Sequence, residues 1–160
     1  MKIEKIFVDM DGVIANFDKG YMREFGISPK ETRNRKEFIG YFDKFINNKG
    51  FQNLEPMSDM KILIEFLNTL PIPKEILSST AREEYYDDLS LQKSFWLDMQ
   101  GINYKANFVP GKQHKYKWAT PNSIIIDDTE SVIDDWVNAG GIGILHKDAI
   151  STISILKMYV

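Results

Sequence analysis

The chain has 160 residues, 43% of them hydrophobic, a formal charge of −3 and no cysteine. That length suits one domain with a real core. The missing cysteines exclude disulfides, thiolate catalysis and Cys-ligated zinc, and the acidic balance argues against a stable complex with nucleic acid.

The first apolar run, Ile6-Phe7-Val8, reads as a buried strand, and Asp9-Met10-Asp11-Gly12-Val13 follows it directly. From about Asp18 to Pro73, roughly 55 residues separate this strand from the next, far more than an ordinary connection. This stretch, with its edge at Phe17, is rich in aromatic residues and helical patterns, so a helical cap is expected there. Its charged run Lys30 to Lys36, with Arg33 and Arg35, reads as a solvated face. Leu63, Phe66, Leu67 and Leu70 share a helical face, with Ser58 as the expected N-cap. Ile76-Leu77 begins a second strand that ends in Ser78-Ser79-Thr80. Tyr85, Leu89, Trp96 and Met99 mark one side of a helix, Phe108-Val109 a third strand, and Lys112 to Ala119 a short helix. Ser123 to Ile126 predicts a fourth strand, followed at once by Asp127-Asp128. Val132, Ile133, Trp136 and Val137 predict a helix closed by Gly140-Gly141. A fifth strand over Ile142 to Leu145 precedes a last helix, begun near Asp148, with Ala149, Ile153 and Leu156 inward.

This alternation predicts an α/β fold: a doubly wound, mainly parallel, Rossmann-like sheet in a single domain over 1–160, with a small helical cap over about 18–73 inserted after strand one. The longest apolar runs are too short for a bilayer, and the first residues lack the apolar core of a signal peptide. A cytoplasmic protein with no membrane partner is expected. His114 and His146 are a poor basis for a metal site.

The acidic residues are better placed. Ligands of open α/β sheets bind at the carboxyl ends of strands, where strand order reverses. Asp9 and Asp11 follow one strand and Asp127 and Asp128 another, so the pairs converge if the strands are neighbours. Crowded carboxylates repel unless a cation neutralises them, and hard oxygen ligands suit Mg²⁺. The spacing of Asp9 and Asp11 suits a nucleophile and a proton donor, with Gly12 allowing a tight turn after them.

Asp9-Met10-Asp11-Gly12-Val13, the Ser78-Ser79-Thr80 cluster, a downstream lysine and Ile126-Asp127-Asp128 resemble the four motifs of the haloacid dehalogenase superfamily, in order. The segment Asp9 to Phe17, the stretch Gly50-Phe51-Gln52-Asn53-Leu54-Glu55-Pro56 and Lys93-Ser94-Phe95-Trp96 are similar to the 5'(3')-deoxyribonucleotidase family. The sequence departs from that family at Asn16 and Thr129. The resemblance implies a phosphatase in which Asp9 attacks phosphorus and Asp11 serves as acid and then base. Mg²⁺ would sit on Asp9, the Asp11 backbone carbonyl and Asp127 or Asp128. A hydroxyl among Ser78, Ser79 and Thr80 would hold the phosphoryl group. Of Lys112, Lys115 and Lys117, the lysine expected to join it is Lys115, which shares a helical face with Trp118 and Ala119, with Lys117 in reserve. The expected substrate is a small phosphate ester, a nucleotide, with Phe17 and Phe51 of the cap as candidates to cover its base. The rival expectations are a phosphatase of nucleic-acid ends and a non-catalytic nucleotide-binding domain.

Overall fold

The computed structural model describes residues 1–32 and 35–160. Arg33 lies outside the described residues, as does the side chain of Arg35. Five strands, β1 (Lys5–Val8), β2 (Lys74–Ser79), β3 (Lys105–Val109), β4 (Ser123–Asp127) and β5 (Ile142–Leu145), form one sheet of order β3-β2-β1-β4-β5. All four pairings are parallel. The chain winds outward from β1 to β3, then returns to the other side of β1 with β4. That reversal makes the β1/β4 junction the switch point.

Alternation along the strands sorts the core into two layers. Ile6, Val8, Ile76, Ile124 and Ile126 join one cluster with Leu63, Leu67, Trp96 and Leu156. Phe7, Leu77, Val109 and Ile125 join the other with Val132 and Trp136. Phe7 and Trp136 meet edge to face at 5.4 Å. Because both faces are covered, these strands read as continuous apolar runs.

The helices are α1 (Phe17–Phe25), α2 (Arg35–Asn47), α3 (Met60–Thr69), α4 (Tyr86–Met99), α5 (Glu130–Asn138) and α6 (Ala149–Leu156). The Asn16 side chain caps α1 by accepting from the Lys19 N–H at 3.1 Å. α3 packs on α6 and buries Leu63 and Leu67 beside the sheet. It therefore belongs to the sheet's own helical layer, and the insertion's structure is α1, α2 and a 3-10 turn over Gly50–Asn53. The boundary thus lies well before Pro73.

Three expectations need correction. The N-cap of α3 is Asp59, not Ser58, and Asp59 makes no capping bond to its own helix. Its Oδ2 instead accepts from the Ala149 N–H at 2.7 Å, tying α3 to the start of α6. Met99 is 68% exposed, because the buried stripe of α4 runs through Leu89, Lys93, Trp96 and Leu97. Val137 is 51% exposed, since α5 turns Val132 and Trp136 inward.

Candidate active site

β1 and β4 are adjacent, with Val8 beside Ile126 and the Asp9 N–H donating to the Ile126 carbonyl at 3.0 Å. The two acidic pairs therefore meet. Past β1 the chain turns at once: the Met10 carbonyl accepts from Val13, Ile14 and Ala15. Gly12 makes this turn with φ +81°, and a Cβ there would stand 2.0 Å from Asp128 Oδ2. Both the left-handed backbone and the close approach require glycine.

Carboxylate oxygens of Asp9, Asp127 and Asp128 lie within 4.8 Å of one another. Lys115, 2% exposed, places its Nζ between the first two, donating to Asp9 Oδ1 at 2.8 Å and Asp127 Oδ2 at 2.7 Å. Asp127 Oδ1 is held by the Thr129 N–H at 3.0 Å. The Asp11 carboxylate stands apart from this cluster. Its Oδ2 accepts from Lys93 Nζ at 2.9 Å, while its Oδ1 is sealed from solvent without a protein partner.

The electrostatics follow from burial under one dominant charge. Burial, then the charge of Asp9, pushes Asp127 up to about 6. Burial, Asp9 and Asp127 push Asp128 up to about 8, although this residue keeps an exposed face. Burial raises Asp11 above the ordinary carboxylate range, against the opposing pull of Lys93. For Lys115, burial works against the charge, but Asp9 and Asp127 outweigh it and hold the ammonium above its ordinary value. Three carboxylates sharing one ammonium remain under-compensated, which is the donor chemistry a hard divalent cation satisfies. The Asp9, Asp127 and Asp128 set fits Mg²⁺; the Asp11 carboxylate is not part of it.

The hydroxyl cluster at the end of β2 splits by alternation. The Ser78 hydroxyl is buried against Lys93 Nζ at 2.8 Å. Ser79 lines the cleft, and its Oγ accepts from the Ala81 N–H at 2.9 Å. Thr80 is fully buried, with its hydroxyl directed to the carbonyls of Arg82 and Val109. Thr80 is therefore not brought to the site. Neither is Lys117, which is exposed and contacts His114 Nδ1 at 3.1 Å. The segment Lys112–Trp118 is a 3-10 helix, and it turns Lys115 inward and Lys117 out.

Above this floor lies a cleft of about 560 Å³. Asp9, Asp11, Lys115 and Asp128 line its base, Phe38, Ile39, Phe42 and Tyr85 one wall, and Lys112 and Arg82 are also in its lining. Phe51 is not in this lining. It is 3% exposed, stacked on Phe17 at 5.3 Å and packed on Phe42 and Phe45. Phe51 thus belongs to the packing of the insertion, whereas Phe17 is half-buried and borders a smaller pocket that Asp11, Gly12 and Asp128 also line. Sequence reasoning also missed Lys93 as a site residue. A lysine inside the apolar stripe Leu89, Trp96 and Leu97 was the signal, because a buried cation needs an anionic partner.

No protein-family model matches the sequence, and no curated protein sequence matches it. Solved structures do match in shape. A hydrolase from Pseudomonas syringae superposes with TM-score 0.62 at 12% identity, covering 99% of this chain and 100% of that one. L-2-haloacid dehalogenase from Xanthobacter autotrophicus gives TM-score 0.55 at 12% identity, covering 88% and 76%. A HAD hydrolase from Bacillus subtilis bound to magnesium gives 0.56 at 11%, covering 89% and 86%. At such identities the likeness is one of fold alone, an α/β fold with a parallel Rossmann-like sheet. Among the described residues no helix is long and apolar enough to cross a membrane.

Proposed function

We propose that this chain is a magnesium-dependent phosphomonoesterase acting through Asp9, with a small nucleotide as substrate. The observation that carries this reading is the unlike treatment of two carboxylates on one turn. Asp9 is held by Lys115 at the cleft floor, whereas Asp11 is shifted by burial toward its protonated form. Pairs of acids whose surroundings separate their roles are what a nucleophile and a proton donor require.

In this mechanism Asp9 attacks phosphorus to give an aspartyl-phosphate while Asp11 gives its proton to the leaving oxygen. Asp11 then takes a proton from the incoming water. Lys115 fixes the attacking carboxylate and supplies positive charge beside the phosphoryl group. Ser79, which lines the cleft, would hold the phosphoryl group, since Ser78 is engaged by Lys93. Mg²⁺ would be held by Asp9, Asp127 and Asp128, with the Asp11 backbone carbonyl implied by the resemblance. When bound, it neutralises the crowded carboxylates and the charge of the phosphoryl oxygens.

The wall of Phe38, Phe42 and Tyr85 favours a flat apolar body beyond the phosphate, as a nucleobase has. The resemblance to deoxyribonucleotidases points the same way and suggests 5'- or 3'-deoxyribonucleoside monophosphates. The test is phosphate release from p-nitrophenyl phosphate and a panel of nucleoside monophosphates. Turnover is expected to stop in chelator and return with Mg²⁺. Failure to hydrolyse any phosphate monoester with Mg²⁺ present would refute the phosphatase reading.

A further inference from the structure

Of the two lysines buried among the described residues, Lys115 is taken up by Asp9 and Asp127, and Lys93 has no part in the chemistry above. Lys93 projects from the buried stripe of α4. Its Nζ donates to Asp11 Oδ2 at 2.9 Å, Ser78 Oγ at 2.8 Å and the Ser79 carbonyl at 2.8 Å. An ammonium has three N–H donors, so this set fills its capacity and fixes it from three directions. Nζ also lies 5.2 Å from the centre of the Phe51 ring. That ring is anchored to the same helix, because the Phe51 N–H donates to Gln92 Oε1 at 3.2 Å.

The two oxygens of Asp11 are therefore unlike. Oδ2 is held by the ammonium, while Oδ1 is buried without a protein partner. We propose, on the basis of the phosphatase reading, that Lys93 is a positioning residue that clamps the Asp11 carboxyl group by Oδ2 and so fixes the acid at the cleft floor. In the transfer step an Asp9 carboxylate oxygen bonds to phosphorus and the bond from phosphorus to the ester oxygen breaks. The Asp11 carboxyl proton passes to that oxygen, so the alcohol leaves neutral. Asp11 is left as a carboxylate, still bonded through Oδ2 to Lys93. Lys93 itself touches neither phosphorus nor the leaving group.

Leaving-group dependence separates this role from simple structural support. Phenol is a poorer leaving group than p-nitrophenol and leans more on the acid. In Lys93→Met, kcat/KM for phenyl phosphate should fall about 100-fold or more, and for p-nitrophenyl phosphate less than about 10-fold, because general acid catalysis is worth about 10²–10⁴. Equal losses on the two substrates would overturn the proposal and leave Lys93 as a structural strut. If Lys93→Met does not fold, Lys93→Gln decides by the same ratio: its shorter, uncharged amide cannot hold Asp11, Ser78 and the Ser79 carbonyl together, so phenyl phosphate should again lose more, and equal losses overturn the proposal. Wild-type protein inert toward both esters is a separate failure, which removes the phosphatase reading and the positioning role with it.

Discussion

The carboxyl edge of the sheet and the helical insertion above it are both densely filled, but by opposite means. At the edge, Asp9, Asp127 and Lys115 are almost wholly buried, and their charges are balanced only in part. In the insertion, Phe17, Tyr21, Phe42, Phe45 and Phe51 pack ring against ring with centroids 5.2–6.2 Å apart. The glycine requirements differ in the same way. A Cβ on Gly12 would strike a carboxylate oxygen, while one on Gly50 would stand 2.2 Å from the Phe45 ring. The edge holds its shape against its own electrostatics, so it should tolerate loss of a charge. The insertion holds by apolar volume, so it should not tolerate loss of a ring.

The largest effect expected from that contrast is at Asp9. Asp9→Asn should lower kcat by at least about 10³-fold, since loss of a covalent nucleophile leaves only binding and electrostatic terms. Its melting temperature should hold or rise, because one of three crowded carboxylates is neutralised. A stable variant with near-wild-type turnover would break the contrast at its strongest point.

Phe51→Ala should behave in the opposite sense. Emptying a ring site in a packed core costs about 3–5 kcal/mol. The ratio of kcat/KM for a nucleoside monophosphate to that for an aryl phosphate should stay the same. Phe38→Ala, on the cleft wall, should instead change that ratio by about 1–3 kcal/mol, the worth of one base stacked on one ring. If Phe51 rather than Phe38 moves the ratio, the assignment of core and wall within the insertion is reversed.

These two rings mark where sequence ceased to inform. The strands, the turn at Gly12 and the meeting of Asp9 with Asp127 were legible, because strand alternation and the switch-point rule depend on local pattern. The inward turn of Lys115 was legible from its spacing to Trp118 on one side of a short helix. Which aromatic rings line the cleft was not, because Phe38 and Phe42 lie in an aromatic-rich insertion where packing decides which ring turns outward, and Tyr85 comes to the wall from outside it. Thr80 was unreadable for a related reason: its hydroxyl is claimed by the Val109 carbonyl of a strand 29 residues away. Lys93 left a signal in its apolar neighbours, but its partner Asp11 is 82 residues distant.

A smaller effect tests the electrostatic half of the comparison. Asp127 and Asp128, raised to about 6 and about 8 from an ordinary 3.8, bind more protons folded than unfolded between those limits. Stability of the protein in chelator should therefore be fullest below about pH 4 for these groups, and decline as pH rises through 8. Mg²⁺ should raise the melting temperature more at pH 8 than at pH 5. Equal gains at both would mean that the carboxylates are not the cation's ligands. The smallest effect is at Lys117, where Lys117→Ala should change stability by no more than about 0.5 kcal/mol and leave kcat/KM intact. A clear loss of phosphatase activity there would reopen the choice between Lys115 and Lys117.

The claim on which the whole account turns is that Asp9 becomes phosphorylated. Asp11→Asn removes the base that activates water for the second step, so with p-nitrophenyl phosphate, which needs little help in the first, a phosphoryl-protein should accumulate. Acid quench followed by peptide mass mapping should place one phosphoryl group on the peptide that carries Asp9, with a matching burst of p-nitrophenol. A phosphoryl group on any other residue, or p-nitrophenol and phosphate released in step with no phosphoryl-protein, would contradict the account.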